Sequence, residues 1–344
     1  MRDTINSNII LVTGGAGFIG SNFILFLLEN DPGVRIINLD KLTYAGSLDN
    51  LNECIGNPRY EFIKGDICDS KLVKEIFESY KITGVVNFAA ESHVDNSIER
   101  PDRFIKTNIE GTFVLLEAAK TYWMDEPNRY KKGFEDTRFL HISTDEVYGS
   151  LGKEGLFRED SPYAPNSPYS ASKAASDFLV RSYHHTYGIN TITSNCSNNF
   201  GPKQHDEKLI PTIIRKALAD ELIPIYGSGE NIRDWLFVED HCKALKLIYN
   251  NGRFGATYLI GGNNEQVNID IATKICAILD NTHQKNEGSY KDQIAFVSDR
   301  PGHDYRYAID SRKLQNELGW STELDFDQAL RRTIDWYIKK YQKV

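Results

Sequence analysis

Tyr169 and Lys173 are two side chains that could together move a proton, and they lie four residues apart. Ser167 and Pro168 just before them are typical of a helix start, with Ser as the N-cap and Pro as the first helical residue. Residues at i and i+4 share one face of a helix, so the phenol and the ammonium would be neighbours. A nearby cation lowers the pKa of a phenol toward the range of a general base. The spacing predicts a catalytic pair, although Tyr-x-x-x-Lys also occurs on solvated helix faces.

Thr144, Asp145 and Glu146 follow an apolar run at residues 138–142. Residues just beyond the carboxyl end of a parallel strand face the ligand crevice of an open α/β sheet. Two adjacent carboxyl groups there can differ in pKa, so that one acts as an acid and the other as a base. The Thr144 hydroxyl could hold a substrate oxygen. Alone, such a triplet is more often a solvated loop or a helix cap, but the pair at Tyr169 and Lys173 favours the catalytic interpretation.

A glycine-rich segment joins the first apolar run to a helical pattern. It reads Gly14-Gly15-Ala16-Gly17-Phe18-Ile19-Gly20. Glycine lets the backbone turn tightly and approach a pyrophosphate, and the helix that follows presents free N–H groups to the anion. Asp40 ends the second apolar run at the spacing expected of a carboxylate on the adenosine ribose. Its charge would repel a 2′-phosphate and so favours NAD over NADP, although the neighbouring Lys41 would offset part of that repulsion.

Short apolar runs alternate with longer helical patterns over the first 200 residues. The runs fall at residues 9–13, 35–39, 60–64, 84–88, 138–142 and 191–195, and the helical patterns at 21–30, 71–79, 102–122 and 168–187. Continuous apolar runs are typical of parallel strands that are buried on both faces. The alternation therefore predicts an α/β fold with a Rossmann-type doubly wound parallel sheet. The polar segment 123–136 is expected to be a surface loop.

The pattern becomes mixed beyond about residue 200. Helices are predicted at 209–222, 239–250, 268–279, 311–318 and 325–341, and strands at 223–226, 234–238, 256–260 and 294–297. We therefore expect an NAD-binding Rossmann domain over residues 1–200 and a smaller mixed α+β substrate lobe over 201–344, some later strands of which could return to the first sheet.

Composition excludes several classes of protein. The 344 residues include 40 Lys and Arg against 48 Asp and Glu, a net charge of −8, which argues against nucleic acid as a partner. The longest apolar stretch, residues 23–28, is far shorter than the ~18 residues that predict a membrane span. The polar first eight residues lack the apolar segment of a secretory signal. Five cysteines without C-x-x-C spacing predict reduced thiols, a cytoplasmic location and no metal site.

Together these motifs resemble the extended short-chain dehydrogenase/reductase family that acts on nucleotide sugars, and Thr144-Asp145-Glu146 resembles the signature of its sugar-nucleotide 4,6-dehydratases. Further matching segments follow in order at residues 40–46, 89–95, 195–199, 207–211, 232–235 and 299–304. The resemblance implies a lyase that uses tightly bound NAD to convert dTDP-glucose to its 4-keto-6-deoxy product, for deoxysugar biosynthesis such as that of rhamnose.

The resemblance also implies a role for each catalytic residue. Tyr169, assisted by Lys173, would take the proton of the 4-hydroxyl while hydride leaves C4. Thr144 would hold the oxyanion that develops when C5 is deprotonated. Glu146 would remove the C5 proton, and Asp145 would protonate the departing 6-hydroxyl.

Binding residues are carried over position by position. Those implied for NAD are Gly14, Gly17, Phe18, Ile19, Gly20, Asp40, Lys41, Leu42, Thr43, Asp66, Ile67, Ala89, Ala90, Ser92, Thr107, Tyr169, Lys173 and Asn199. Those implied for the nucleotide sugar are Ser92, His93, Thr144, Asn198, Lys208, Leu209, Pro224, Tyr226, Arg233, Asn268, Asp299 and His303. Alternatively, Arg233 could pair with an acidic neighbour and His303 could cap a loop.

Several alternatives stay open at the level of sequence. A sugar-nucleotide 4-epimerase would share the glycine-rich segment and the Tyr169–Lys173 pair but would not need Asp145 and Glu146. A catalytically silent NAD-binding regulator would have lost catalytic residues, whereas this chain retains them. The choice between thymine and uracil as the base is not determined. The resemblance further implies a homodimer in which the helices at 102–122 and 168–187 form a four-helix bundle.

Overall fold

The computed structural model describes residues 8–299 and 301–342. Seven of the eight N-terminal residues that were considered for a signal peptide lie outside the described residues. Arg300, within the matching segment 299–304, also lies outside them.

The strands are numbered in chain order. They are β1 (Asn8–Thr13), β2 (Val34–Asp40), β3 (Tyr60–Lys64), β4 (Gly84–Asn87), β5 (Met124–Glu126), β6 (Arg129–Tyr130), β7 (Arg138–Thr144), β8 (Thr191–Cys196), β9 (Asn198–Phe200), β10 (Ile223–Tyr226), β11 (Ile232–Phe237), β12 (Thr257–Ile260), β13 (Glu265–Val267) and β14 (Ile294–Val297).

The α-helices are α1 (Phe18–Asn30), α2 (Ser70–Tyr80), α3 (Val94–Glu99), α4 (Pro101–Phe104), α5 (Thr112–Trp123), α6 (Pro168–Tyr187), α7 (Leu209–Leu218), α8 (Val238–Asn251), α9 (Asn268–Thr282), α10 (Arg312–Leu318) and α11 (Phe326–Tyr341). A π-helix spans Ile105–Gly111, and 3₁₀ turns span Leu48–Cys54, Asp145–Tyr148 and Tyr290–Gln293.

Seven strands form one parallel sheet in the order β12-β8-β7-β4-β1-β2-β3. One apolar core, with α1 and α8, covers one face of this sheet, and a second core, with α2, α5 and α6, covers the other. The continuous apolar runs are explained by this burial on both faces. The Rossmann-type doubly wound fold predicted from the sequence is confirmed, and β4 lies beside β1 at the point where strand order reverses.

A third core lies outside the main sheet, where α7, α9 and α11 pack with β10 and β11. Two small sheets accompany it: β10 pairs with β14, and β11 lies between β13 and β9. These helices and small sheets confirm the mixed α+β structure that the sequence predicts for the C-terminal part. The domain boundary near residue 200 stays a prediction, and β12, from beyond that point, forms the edge of the main sheet beside β8.

Three local expectations are corrected by the structure. The segment predicted as a surface loop contains the β5–β6 hairpin, and Trp123 at its start is fully buried, with its indole N–H donated to the Ile82 carbonyl at 2.8 Å. The helix predicted at 102–122 is interrupted by the π-helix Ile105–Gly111. The helix predicted to reach residue 222 ends at Leu218, because Asp220 takes a left-handed conformation with φ of 57°.

Within residues 8–299 and 301–342, no helix combines the length and the apolar character needed to cross a membrane.

Candidate active site

A cavity of about 310 Å³ opens at the carboxyl edge of the main sheet, and we call it the main cavity. Its walls come from the ends of successive strands: the loop after β1, the end of β2, the segments after β3 and β4, and the ends of β7 and β8. In doubly wound sheets ligands bind in this crevice, beside the point where strand order reverses.

The glycine-rich loop forms one wall by close backbone contact. Gly14 has a φ of +67°, and a Cβ there would lie 2.6 Å from the Ala89 nitrogen. A Cβ on Gly20 would lie 2.5 Å from the Gly14 carbonyl oxygen, so helix α1 packs directly on the loop. Gly17 is the N-cap of α1, and the first residues of that helix line the main cavity. The free N–H groups of a helix start are thereby available to an anion.

Asp40 lies at the end of β2 and is nearly buried. Its carboxylate accepts hydrogen bonds from the backbone N–H groups of Ala16, at 2.9 Å, and Leu42, at 2.7 Å. Burial raises the pKa of Asp40 although these two hydrogen bonds lower it. Lys41 points to Asp66 instead, with Nζ 2.6 Å from the carboxylate. Its charge is therefore paired, which weakens the argument that Lys41 would favour a 2′-phosphate.

The π-helix Ile105–Gly111 supplies the side of the main cavity that carries Thr107. Its Asn108 is buried and exchanges hydrogen bonds with the backbone of Glu91, and it also donates to Ser172 Oγ at 2.8 Å. Gly111 packs closely on Ile67, since a Cβ there would lie 2.4 Å from Ile67 Cδ1 and would displace that side chain. A π-turn thus fixes the segment after β4 against helix α6, as such turns often do at functional sites.

Helix α6 begins as the sequence predicts. Ser167 is the N-cap and forms a capping box with Ser170, and Pro168 is the first helical residue. Tyr169 and Lys173 both line the main cavity and are 9% and 4% exposed. Lys173 Nζ donates to the Ile142 carbonyl oxygen at 2.7 Å, which holds the ammonium at the end of β7.

The protein alone does not lower the pKa of Tyr169, contrary to the expectation from the Lys173 spacing. Burial raises it well above its usual value, and the charge of Glu146 adds to this effect. A hydrogen bond with Thr144 acts in the opposite direction. Burial also lowers the pKa of Lys173, because an ammonium loses hydration there. A working phenolate base therefore needs a further positive charge in the main cavity.

Thr144, Asp145 and Glu146 lie where β7 ends, and all three line the main cavity. Thr144 Oγ1 accepts the backbone N–H of Glu146 at 3.3 Å and so caps the 3₁₀ turn Asp145–Tyr148. Asp145 is 2% exposed, and burial raises its pKa well above the usual value, with the charges of Glu146 and Asp234 adding to the shift. Burial thus raises the pKa of one of the two adjacent carboxyl groups, which favours a role as an acid for that group.

Some of the residues predicted to bind the substrate line the main cavity, and others do not. Ser92, Asn198 and Lys208 line it together with Thr144, and Lys208 Nζ donates to the Ser92 carbonyl at 3.2 Å. The others do not line it: His93, Leu209, Pro224, Tyr226, Arg233, Asn268, Asp299 and His303. His93 remains adjacent, since its Nε2 lies 3.7 Å from the carboxylate of the cavity-lining Glu207.

Several of these outlying residues gather around β10, β11 and β14. His303 Nδ1 lies 2.7 Å from the Asp299 carboxylate, and its ring contacts Tyr226 with centroids 6.4 Å apart. The Arg233 guanidinium stacks over Tyr307 at 4.4 Å. Its positive charge opposes the rise in the pKa of Asp145 that burial causes.

All of the residues predicted to bind the cofactor line the main cavity except Leu42. Its left-handed backbone, with φ of 56°, carries the N–H that Asp40 accepts. The side chain of Asn199 is fixed by a hydrogen bond with the buried His241, whose Nδ1 lies 2.8 Å from Asn199 Oδ1.

Sequence reasoning missed other residues of the cavity wall. They are Leu39, Ala45, Gly46, Gly65, Phe88, Glu91, Ile142, Ser143, Cys196, Ser197, Gln204, His205 and Glu207. Phe88, Ser143, Cys196 and Ser197 lie at the carboxyl ends of strands that the sequence did predict, so extending the strand-end rule to every strand would have found them. Among the described residues, no group of three or more His, Cys, Asp or Glu is arranged to hold a metal ion.

Comparison with known proteins shows the family to which the chain belongs. The profile of the family described as GDP-mannose 4,6-dehydratase matches residues 11–333. A protein of Xanthomonas campestris pv. campestris named dTDP-glucose 4,6-dehydratase is 55% identical over 329 residues, which cover 95% of this chain and 92% of that protein.

Two solved structures are similar over nearly all of the chain. The dTDP-glucose 4,6-dehydratase of Bacillus anthracis str. Ames, in complex with NAD, has a TM-score of 0.85 and 42% identity, with 98% of each chain covered. A dTDP-glucose 4,6-dehydratase of Streptomyces venezuelae, with NAD and the ligand TYD bound, has a TM-score of 0.87 and 41% identity, with 97% of this chain and 98% of that chain covered.

Replacing Asp145 by Asn should stabilise the protein, and more so as pH rises. Above pH 3.8 the unfolded chain releases a proton that folded Asp145 retains, so the parent protein loses stability with rising pH. The Asp145→Asn variant has no such proton to lose. The difference in the free energy of unfolding should therefore grow by up to about 1.4 kcal/mol for each pH unit.

Urea unfolding of both proteins at about pH 5 and about pH 7 measures this difference. Asp136→Asn, which replaces an exposed carboxyl group, provides the matched control for the removal of one carboxyl group. An Asp145→Asn variant that gains nothing between the two pH values would contradict a proton held on Asp145.

Proposed function

Because the chain belongs to the GDP-mannose 4,6-dehydratase family, we propose that it is a dTDP-glucose 4,6-dehydratase, a hydro-lyase that uses bound NAD and returns it unchanged. The observation that carries this proposal is the meeting of Asp145 and Glu146 with Tyr169 and Lys173 in one cavity. Its product is dTDP-4-keto-6-deoxyglucose, a precursor for deoxysugar nucleotides such as those of rhamnose.

The main cavity has the features that NAD requires. The glycine-rich loop leaves room that a Cβ at Gly14 would fill, and α1 begins directly behind it. Asp40 lines the same cavity and would bind the adenosine ribose, and Thr107, Ala89 and Asn199 line other parts of its wall. Bound there, NAD supplies a hydride acceptor, and its positively charged nicotinamide favours the phenolate of Tyr169.

The base of the first step is Tyr169. It accepts the proton of the substrate 4-hydroxyl, and Lys173, held by the Ile142 carbonyl, stabilises the negative charge on the phenol oxygen. Thr144 interacts with Tyr169 in the protein and is therefore placed to donate to the same sugar oxygen when it becomes a carbonyl. An oxygen so held makes the C5 proton of a 4-keto sugar easier to remove.

Asp145 and Glu146 divide the elimination between them. Asp145 retains its proton because it is buried beside Glu146 and donates that proton to the departing 6-hydroxyl. Glu146 is less buried than Asp145 and removes the C5 proton. Return of the hydride to C6 and of a proton to C5 then completes the 6-deoxy product and leaves NAD unchanged. Two neighbouring carboxyl groups in different environments are a general means of doing acid and base chemistry in one site.

The nucleotide sugar extends from this centre toward β10, β11 and β14. Lys208 at the wall of the main cavity and Arg233 beside Asp145 carry the charges that suit a diphosphate. Asn198 and Ser92 line the sugar end, and His93 contacts it through Glu207. The cluster of Tyr226, Asp299 and His303 is assigned to the nucleoside.

The two competing functions have less support. A 4-epimerase would have no use for an acid at Asp145, yet the fold buries that carboxyl group, and burial raises its pKa. A silent regulator would not be expected to keep all five catalytic residues in one cavity.

Incubation with dTDP-glucose tests the function directly. The product should have lost the mass of one water, with no net reduction of NAD, and UDP-glucose run in parallel tests the choice of base. A product of unchanged mass that contains galactose would identify an epimerase, and no reaction with either sugar would refute both enzymes.

Replacing Glu146 by Gln should separate oxidation from elimination. The amide cannot remove the C5 proton, so turnover should fall by about 100-fold or more while oxidation at C4 continues. Reduced cofactor should therefore accumulate on the enzyme and be visible in its near-ultraviolet absorbance. Glu154→Gln changes an exposed carboxylate nearby and should leave turnover unchanged. Normal turnover of Glu146→Gln would assign the C5 proton to another base.

We further propose a homodimer built from the π-helix, α5 and α6. These elements carry large apolar side chains at the surface: Ile105 is 59%, Phe113 45% and Phe178 57% exposed. Helices α5 and α6 share one core, so their outer faces form a continuous surface. Pairing two such surfaces gives a four-helix bundle and removes the apolar side chains from water.

Phe113→Glu should therefore shift the protein from dimer to monomer, because a carboxylate would be buried at the interface. Leu222→Glu changes an equally apolar side chain, 68% exposed, in the other part of the chain and should leave the mass unchanged. Sedimentation equilibrium measures the mass of each variant. A dimer that persists in Phe113→Glu would place the interface elsewhere.

The cysteines support a cytoplasmic location. All five are free, and Cys54, Cys196, Cys242 and Cys276 are buried. Free thiols of this kind are maintained in a reducing compartment. Titration of the denatured protein, purified without reductant, should find five reactive thiols, and a lower count would argue against this location.

A further inference from the structure

The ring of Tyr307 lies against the guanidinium of Arg233, the cation assigned above to the diphosphate. The Arg233 Cζ atom is 4.4 Å from the centroid of the ring, and Arg233 and Tyr307 are 5% and 3% exposed. An aromatic face attracts a guanidinium, and the attraction is larger where water is excluded. The ring can therefore fix the place of this positive charge.

The chain around Tyr307 holds the same guanidinium by hydrogen bonds. Nη1 donates to the carbonyl oxygens of Ile232, at 2.8 Å, and Tyr305, at 3.3 Å, and Nη2 donates to that of Asp304, at 2.9 Å. Carbonyl oxygens are neutral acceptors, so these three hydrogen bonds orient the guanidinium without cancelling its charge. One short segment thus contributes the ring and two of the three acceptors.

The hydroxyl of Tyr307 fixes the ring in turn. It donates to Asp304 Oδ2 at 2.5 Å, and Asn166, in the loop before α6, donates to Asp304 Oδ1 at 2.7 Å. Burial raises the pKa of Tyr307 well above its usual value, so the hydroxyl keeps the proton that this hydrogen bond needs. Asp304 therefore fixes the ring by its side chain and the guanidinium by its carbonyl.

The same ring belongs to a small core that includes part of the catalytic turn. Val147 and Tyr148, which pack in this core with Tyr307, end the 3₁₀ turn that Asp145 and Glu146 begin. Protein cores are close-packed, so the position of one buried side chain constrains its neighbours. Tyr307 thus connects the guanidinium of β11 to the turn that carries the catalytic carboxyl groups.

We propose that Tyr307 is a positioning residue for the substrate, whose ring holds the charge of Arg233 at the diphosphate and at a fixed place relative to the catalytic turn. Asp304 fixes the ring for this purpose. The inference rests on the proposed function for the identity of the diphosphate, but the stacking of Arg233 on Tyr307 is a property of the protein itself.

Three variants of the full-length enzyme with its bound NAD separate the ring from the hydroxyl and from the core. Tyr307→Leu removes the ring, whereas Tyr307→Phe keeps the ring and removes the hydroxyl. Phe157→Leu is the matched control, because it removes from the same core a ring that stacks on Tyr148. Circular dichroism and the content of bound NAD establish that each variant is folded.

The first measurement is the affinity for dTDP, by titration calorimetry. Tyr307→Leu should bind dTDP about tenfold more weakly, because a guanidinium that is held less firmly loses part of its attraction for the phosphates. Tyr307→Phe and Phe157→Leu should stay within about threefold of the parent, since both keep the ring beneath the guanidinium.

A double-mutant cycle shows whether the ring acts through Arg233. Arg233→Met removes the charge and should itself weaken dTDP binding. Adding Tyr307→Leu to Arg233→Met should cause no further loss, because the guanidinium that the ring would hold is absent.

Steady-state kinetics give a second test of positioning. Tyr307→Leu should raise the KM for dTDP-glucose by about tenfold and change kcat little, and Tyr307→Phe should recover the parent KM. A large loss of kcat in Tyr307→Phe would show that the hydroxyl acts in the reaction, and it would overturn the assignment of Tyr307 to positioning.

A resonance of Arg233 reports on the stacking without any ligand. The enzyme is labelled with ¹⁵N-arginine, and the Nε–H signal of Arg233 is assigned by its absence from Arg233→Met. A proton over an aromatic face is shielded, so this signal should move toward the usual arginine frequency in Tyr307→Leu and stay in place in Tyr307→Phe.

The outcomes are distinct. A folded Tyr307→Leu with the parent affinity for dTDP overturns the inference, as does an equal loss in the Arg233→Met background. If Tyr307→Leu does not fold, pentafluorophenylalanine is placed at position 307, because it keeps the ring and removes the negative charge of its face. Weaker dTDP binding than in Tyr307→Phe then supports the inference, and equal binding overturns it.

Failure of the proposed function would be recognised separately. A parent enzyme that binds neither dTDP nor dTDP-glucose refutes the proposed substrate, while the Nε–H signal of Arg233 still decides whether Tyr307 holds the guanidinium.

Discussion

The parallel hydrogen bonding of seven strands is the constraint on which the rest of this molecule depends. Parallel strands point the same way, so their carboxyl ends meet at one edge, and the helices that return the chain cover the two faces. Residues as distant in sequence as Gly14 and Asn199 therefore line one cavity. The position of β4 beside β1, where strand order reverses, leaves that edge open for a ligand.

Burial at this edge sets the electrostatics of the site. Loss of hydration raises the pKa of Asp145, which suits an acid, but it also raises the pKa of Tyr169, which does not suit a base. The same physical effect thus favours the proposed role of one residue and opposes the proposed role of the other. A positive charge bound near the phenol, such as that of the proposed cofactor, would offset the unfavourable effect. Burial also lowers the pKa of Lys173, because an ammonium loses hydration there.

Local geometry outweighs net charge in this protein. The chain carries a net charge of −8, yet the proposed cofactor and substrate are both anions. Charges separated by more than about 10 Å are largely screened by salt, so the overall excess of carboxylates matters little at the binding site. What matters there is the amino end of α1 behind the glycine-rich loop, together with Lys208 and Arg233.

The amino-acid sequence by itself determined the fold class and most of the central site. The glycine-rich run, Asp40, the Thr144-Asp145-Glu146 triplet and the Tyr169–Lys173 pair are local patterns whose meaning depends on spacing along the chain. The tertiary structure alone decided that Lys41 pairs with Asp66, that Trp123 is buried, and that a π-helix interrupts the predicted helix after residue 101. It also decided the direction of the Tyr169 pKa and joined Asp177 to Ser143 and Asn195. The reason is physical: burial and hydrogen bonding between distant segments depend on how the chain packs, and local spacing carries no record of that packing.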